Sequence, residues 1–369
     1  MKRVLISGYL GFGNCGDESI LMAITSNLQQ LDPHIQLTAF SNNPKNTSEN
    51  YGIEALSAFH PIQILKGIYK TDVLLSGGGT LLQDETSTRS LLYYLGIIKL
   101  AKIMGKKVML YSNGVGPLRK PYNRKLVKKI INEVDLITVR EELSKKELDR
   151  LEITKPPTYV TADPVFTLQG ILKEKAFDLL QKEGIPIDRP LVGISVRDWK
   201  NSHLFIPQMA KICDQIIEDH QARIVFIPMQ YPHDLSASKE VQKVMKNESY
   251  LLKDQYDSKE LLGIVGTMKL ILSMRLHTLI FAGIENVPML GFAYDPKVDY
   301  YLHVLQMPSA GNIFKLDIQK SKEQIDTLFQ NHEHEVMKLK KISKKLVVEA
   351  NKNDTLLLEL LQREKKDNK

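Results

Sequence analysis

Short apolar runs that end in glycine, serine, asparagine or aspartate recur along this chain, and their recurrence restricts the fold more than any other feature. Val4-Leu-Ile-Ser7 opens into Gly8, and Ile35 to Phe40 ends at Ser41-Asn-Asn-Pro44. Asp72-Val-Leu-Leu-Ser76 leads into Gly77-Gly-Gly79, and Lys107 to Ser112 leads into Asn113-Gly114. Asp135 to Val139 hands over to Arg140, and Thr158 to Ala162 to Asp163-Pro164. Continuous apolar runs of this length mark strands buried on both faces. Segments of helical length lie between them, which predicts a doubly wound parallel sheet. Gly184-Ile-Pro-Ile-Asp-Arg-Pro190 reads as a linker, and the pattern then restarts. Leu191 to Val196 exits at Arg197-Asp-Trp199, Arg223 to Met229 at Gln230 to Asp234, and two further runs begin at Leu270 and Val287. The fold class expected is therefore α/β, with two Rossmann-like domains facing across a cleft and a C-terminal helical tail. The boundaries drawn are 1–183, 184–317 and 318–369. Within the tail, Ile325, Leu328, Val336, Leu339, Ile342, Leu346 and Val347 are spaced for one amphipathic face, with core packing its expected use.

Bulk properties exclude several classes. At 369 residues, with 43% hydrophobic and 25% charged residues, the chain has room for two soluble domains. No apolar run reaches the roughly eighteen residues of a membrane span. Met1-Lys-Arg is followed at once by a strand-like run, without the features of a signal peptide. Cys15 and Cys213 are the only cysteines and have no metal-ligand spacing, so a disulfide framework is not expected and a reducing cytoplasm fits. The net charge of +7 comes largely from Lys/Arg-rich helices, for which solvated faces are the favoured reading. Attraction to anionic lipid or phosphorylated substrates is the other reading. Aromatic residues are not interleaved with the basic runs, which sets nucleic acid aside.

Ligands of open α/β sheets bind at the carboxyl ends of the strands, so the exits are where chemistry is sought. The first exit, Gly8 to Glu18, carries glycines at 8, 11, 13 and 16 and precedes a helix predicted from Ser19 to Leu31. A glycine-rich approach to a helix N-terminus favours anions. However, Asp17 and Glu18 stand where a pyrophosphate would meet negative charge, so a carboxylate there either caps the helix or accepts from a sugar hydroxyl. Gly77-Gly-Gly79 predicts a nest of backbone N–H groups or room for a ligand on the chain.

In the second half, Leu270 to Leu272 reads as a strand and Thr278 to Ile284 as a short helix. Val287 to Phe292 returns as a strand whose exit carries Tyr294, Asp295 and Lys297. Two consecutive exits thus bring Arg275, His277 and Lys297 to one rim. Two cations and an imidazole suit an anionic substrate that needs proton transfer. Taken alone, His277 would read equally well as a residue that caps its helix. Arg197, at the end of the first strand after the linker, is expected to clamp a carboxylate or phosphate. Trp199 is open between an interface anchor and a stacking platform.

The combination resembles the polysaccharide pyruvyltransferase family, and within it the branch that pyruvylates secondary cell-wall polymers for S-layer anchoring in Gram-positive bacteria. The pieces that carry the resemblance are Gly8-Tyr-Leu-Gly-Phe-Gly-Asn-Cys-Gly-Asp-Glu18, Gly77-Gly-Gly-Thr-Leu-Leu-Gln-Asp84, Asn113-Gly-Val-Gly-Pro117, Val139-Arg-Glu141, Ala162-Asp-Pro164, Ser195-Val-Arg197 and Ser273-Met-Arg-Leu-His-Thr278. The resemblance implies a glycosyltransferase-B-like fold with an acceptor-side first domain and a donor-side second domain. It implies transfer of the enolpyruvyl carbons of phosphoenolpyruvate onto two sugar hydroxyls as a cyclic ketal, with release of phosphate. The expected acceptor is N-acetylmannosamine of a lipid-diphosphate-linked precursor made at the inner face of the membrane. On this reading His277 is the acid/base, and Arg197, Arg275 and Lys297 bind the donor. Asn14, Asp17, Gly78, Asn113 and Arg140 bind the acceptor, with Asp17 also available as a base. Phosphoenolpyruvate is a co-substrate; no cofactor and no metal are expected. Peripheral membrane contact and oligomerisation both stay open.

Two other readings stand beside it. A nucleotide-sugar glycosyltransferase of the same plan would need a carboxylate for the ribose, for which Glu285 is the candidate. A non-catalytic sugar-binding module would tolerate loss of His277.

Overall fold

The computed structural model describes residues 2–85, 87–198 and 202–363. Trp199, whose role the sequence leaves open, lies outside the described residues. The chain forms two compact units, Met1–Thr167 together with Leu346–Lys369, and Leu168–Lys345. Contacts thus divide it at 167/168 and 345/346, whereas composition suggests 183/184 and 317/318. The helix Lys173–Lys182 belongs with the second unit because it packs on the helix Ser258–Gly266, and the Ile171 amide donates to the Lys259 carbonyl at 3.1 Å.

The strands of the first unit are β1 (Arg3–Ser7), β2 (Gln36–Ser41), β3 (Glu54–Ser57), β4 (Val73–Gly77), β5 (Lys107–Asn113), β6 (Leu136–Val139) and β7 (Thr158–Val160). They form one parallel sheet in the order β3-β2-β1-β4-β5-β6-β7. Leu5, Leu74, Leu110 and Ile137 from its centre are buried against the flanking helices. The second unit holds β8 (Leu191–Ser195), β9 (Arg223–Phe226), β10 (Tyr250–Leu251), β11 (Leu270–Ser273), β12 (Met289–Ala293) and β13 (Ser309–Asn312), in the order β10-β9-β8-β11-β12-β13. This sheet too is parallel, over a core that includes Ile194, Phe226, Leu272 and Phe292. Each sheet reverses direction beside its first strand, at β1/β4 and at β8/β11. Those reversals are where an open α/β sheet leaves a crevice at its carboxyl edge.

β3, β10 and β13 carry no apolar run and lie at sheet edges, where one side of the strand has no partner to bury it. The first helix runs from Cys15 to Leu31, four residues longer than Ser19–Leu31. The Asn14 side chain accepts the Gly16 amide at 3.0 Å and caps the extra turn, so Asp17 and Glu18 are helical rather than in a loop.

The last helix, His332–Gln362, begins in the second unit and ends in the first. There Ala350, Leu357 and Leu360 are buried. Thr161 Oγ1 donates to Asn353 Oδ1 at 2.8 Å, Asn27 Nδ2 donates to Asp354 Oδ2 at 2.9 Å, and Tyr111 Oη donates to Asp354 Oδ1. Core packing is therefore what its end does. Among the described residues no helix is long and apolar enough to cross a membrane.

Candidate functional site

The carboxyl edge of the second sheet gathers the cationic residues. Arg197 follows β8, Arg275 and His277 follow β11, and Lys297 follows β12, three adjacent strands. At about 4.8 Å between neighbouring strands, their exits span roughly 10 Å. Ser273 Oγ accepts the Arg275 amide at 2.9 Å and donates to the Arg275 carbonyl at 3.0 Å, a local turn that fixes where Arg275 leaves the strand. Thr278 Oγ1 donates to Ser195 Oγ at 3.0 Å and so ties the next helix to β8. That helix is Leu276–Ile284 with Arg275 at its cap position, which puts His277 in the first turn among N–H groups that favour an anion. Lys297 likewise lies in the first turn of the helix Pro296–Leu305, capped by Asp295.

Arg275 is the best-anchored member. It is 9% exposed, and its Nη2 donates to Asp234 Oδ1 and to Gln230 Oε1 (3.2 Å). Asp234 is wholly buried and also accepts the Met229 and Gln230 amides at 3.1 and 2.9 Å. Arg275 Nε is buried and has no hydrogen-bond partner among the described residues, a donor that costs stability unless something else accepts from it. Arg197 Nη1 donates to the Tyr294 hydroxyl at 3.0 Å with its guanidinium carbon 5.1 Å from that ring's centroid. This contact reaches from the exit of β8 over β11 to the exit of β12. Asp234, Gln230 and Tyr294 hold these arginines, although sequence reasoning gives none of the three a role. The Gln230 to Asp234 exit is the signal that was available for the first two.

The acceptor-side candidates of the first unit sit at the exits of β1, β4, β5 and β6. Some are engaged by the protein itself. Asn14 caps its helix. The Gly78 amide donates to the Tyr111 carbonyl at 2.9 Å, and a β-carbon there, at φ +55°, would lie 2.1 Å from Ile20 Cγ2. Gly78 is thus required by helix packing, and its N–H is not open as the nest predicts. The Arg140 side chain is 3% exposed; Nη1 donates to Asp163 Oδ2 at 2.6 Å and Nε to Glu141 Oε2 at 3.1 Å. It fastens the exits of β6 and β7 to each other. A β-carbon at Gly114 would come 2.6 Å from Thr80 Oγ1 and 3.4 Å from Arg140 Nη2, so any larger residue there would displace side chains of this network.

Asp17 and Asn113 are the remaining two. Asp17 Oδ1 would lie 2.9 Å from a β-carbon on Gly79, and its charge helps to raise the Tyr9 hydroxyl above its usual range, after burial, which does most. Asn113 is fully buried, and neither atom of its amide has a hydrogen-bond partner among the described residues. Ser7 and Ser76, paired in register across the β1/β4 reversal, also carry buried hydroxyls without partners among the described residues. Their apolar surroundings gave no sequence signal. Glu18 is spoken for: it accepts the Gly11 amide at 2.7 Å and the Tyr51 hydroxyl at 2.8 Å.

Two Rossmann-like units, each with a strand-order reversal in its parallel sheet, give a glycosyltransferase-B-like fold, and solved structures agree on it. A putative UDP-N-acetylglucosamine 2-epimerase from Listeria monocytogenes is 12% identical, with a TM-score of 0.69 over 99% of this chain and 98% of that one. The S. aureus MnaA–UDP co-structure is 13% identical with a TM-score of 0.68 over the whole of both chains. A glycosyltransferase from Rickettsia africae is 13% identical with a TM-score of 0.65 over 98% and 99%. Among curated proteins no sequence matches. The family model for polysaccharide pyruvyl transferase matches residues 14–296, and the chain belongs to that family. It is a transferase enzyme.

Proposed function

We propose that the chain moves the enolpyruvyl group of phosphoenolpyruvate onto two hydroxyls of a saccharide as a cyclic ketal and releases phosphate. The observation that carries the reading is Arg275, anchored on buried Asp234 at the β8/β11 reversal with its Nε unbonded, between Arg197 and the first turn that holds His277. A small donor with a carboxylate and a phosphate needs such a set of fixed cations.

His277 would deliver a proton to the methylene carbon, which becomes the methyl group, and positive charge develops at the central carbon. A sugar hydroxyl attacks that carbon, the C–O bond to phosphate breaks, and a second hydroxyl closes the ketal ring as its proton leaves. Arg197, Arg275 and Lys297 would bind the carboxylate and stabilise the departing phosphate. Asp17 and Asn113 would orient the saccharide, with Asp17 as base for a hydroxyl and Arg140 holding the exits in place. An N-acetylmannosamine residue on a lipid diphosphate is the acceptor we favour, handled at the inner face of the membrane.

Glu285 weighs against the nucleotide-sugar reading. It closes the far end of its helix, where its carboxylate packs against Gly266 and Gly170 rather than at the carboxyl edge. UDP in the S. aureus neighbour still makes a UDP-sugar the proper control. Incubation with phosphoenolpyruvate and an amino-sugar disaccharide should give phosphate and a product heavier by one pyruvyl ketal. His277→Ala should lower the rate about 10²–10⁴-fold while phosphoenolpyruvate still binds. Turnover of the UDP-sugar alone, or full activity in the variant, would refute the proposal.

A further inference from the structure

The helix Pro61–Lys70 has two apolar faces. Inward, Ile68 is buried, and Gly67 lies so close to the sheet that a β-carbon would meet Leu56 Cδ1 at 2.9 Å and Phe40 Cε1 at 3.0 Å. Outward, Ile62, Leu65 and Tyr69 fall on one stripe and are 70%, 48% and 72% exposed. Phe59, just before the helix, is 61% exposed. Isolated apolar residues are ordinary on a surface, but four on one helix and its approach mark an interaction face.

The charge beside this stripe has one sign. From Ala58 to Thr71 there is no aspartate or glutamate, while Lys66 and Lys70 border the stripe. Lys106 lies at its end, with Nζ 5.6 Å from the Tyr69 ring centroid and donating to the Tyr69 and Thr71 carbonyls at 2.6 and 2.8 Å. Lys66, Lys70 and Arg3 also line a cavity of about 600 Å³ with Leu37, Ile53 and Leu56 on its apolar wall. The acids nearby are Glu54, on that cavity's lining, and Asp72, which is paired with Arg3 at 3.0 Å.

We propose that this face docks on an anionic lipid bilayer. The stripe of Phe59, Ile62, Leu65 and Tyr69 enters the headgroup boundary, and Lys66, Lys70 and Lys106 lie over the lipid phosphates. Tyrosine is at home at that depth, with its ring among acyl carbons and its hydroxyl in water. A second copy of the chain fits less well, because a two-fold contact along the stripe would bring the lysines of both copies together.

The test is flotation of the purified full chain with phosphatidylcholine vesicles, with and without phosphatidylglycerol. Binding is expected only with the anionic lipid, about fivefold weaker for each of Lys66→Gln and Lys70→Gln, and lost in Ile62→Glu/Tyr69→Glu. Thermal melts check that the variants are folded, which their exposed positions favour. No binding to anionic vesicles would overturn the proposal, as would undiminished binding of the folded double variant. So would a solution dimer, measured by light scattering, that the same substitutions dissociate.

Discussion

Asp234→Asn is the substitution that most directly probes how the second rim is built. In the native chain one carboxylate oxygen takes the Met229 and Gln230 amides and the other takes Arg275 Nη2. An asparagine keeps its oxygen on the two backbone donors and turns its NH₂ onto Nη2, donor against donor. Among the described residues the guanidinium then retains only Gln230 Oε1 as a neutral acceptor, at 3.2 Å, with its side chain 10% exposed. Removing one partner of a buried ion pair costs about 3–5 kcal/mol when the other charge stays buried. Gln230 and the partial exposure reduce this, so a loss of about 3 kcal/mol is expected in urea unfolding. Arg275→Met alone leaves Asp234 with its two backbone donors. The double variant buries neither charge and should recover most of the loss, a coupling that a double-mutant cycle isolates. Calorimetric titration of phosphoenolpyruvate should show weaker binding in all three variants. A stability within about 1 kcal/mol of wild type for Asp234→Asn, or strictly additive effects, would refute the buried-pair account.

Two further outcomes are expected. Gly78→Ala should lose about 2–4 kcal/mol in chemical denaturation, because the new methyl meets Ile20 in a left-handed backbone. Gly79→Ala should lose less, since its β-carbon meets only the end of the Asp17 side chain; equal losses would show that backbone strain alone decides. Asp354 supplies a pH dependence: burial raises its carboxyl from 3.8 to about 6, against hydrogen bonds from Tyr111 and Asn27. The folded chain then holds a proton that the unfolded chain releases, so this group's contribution is full below about pH 4 and is lost as pH rises through about 6, up to about 3 kcal/mol. Stability measured across that window should fall less steeply in Asp354→Asn, and parallel curves would exclude the effect.

Much of the fold was legible because a strand buried on both faces must spell an uninterrupted apolar run, as Val73-Leu-Leu and Leu270-Ile-Leu do. Edge strands escape that demand. Ser309-Ala-Gly-Asn312 pairs with β12 through its backbone and has nothing apolar to announce it. Sites divide in the same way. Arg275, His277 and Lys297 could be placed together because position along a parallel strand fixes the edge at which a residue emerges. What holds them could not be read so easily. Asp234 reaches Arg275 across 41 positions, and Arg140 meets Asp163 across 23, so these pairings exist only once the strands lie side by side. The same distance from sequence to contact explains why Asn14 and Gly78 look like ligand residues although the protein itself uses them.

The rim of the second unit stands on strands whose own residues are entirely interior, from Leu191 to Ser195, Leu270 to Ser273 and Met289 to Ala293. Folding is therefore written in the strands, and the proposed chemistry in the residues that follow them. On the proposed function, His277 and Lys297 belong to the edge and not to the slab beneath it, which makes this edge the natural place to test what the enzyme accepts. Arg275 is held more firmly, since its anchor Asp234 is wholly buried at the exit of β9, and any redesign would have to replace it together with Asp234.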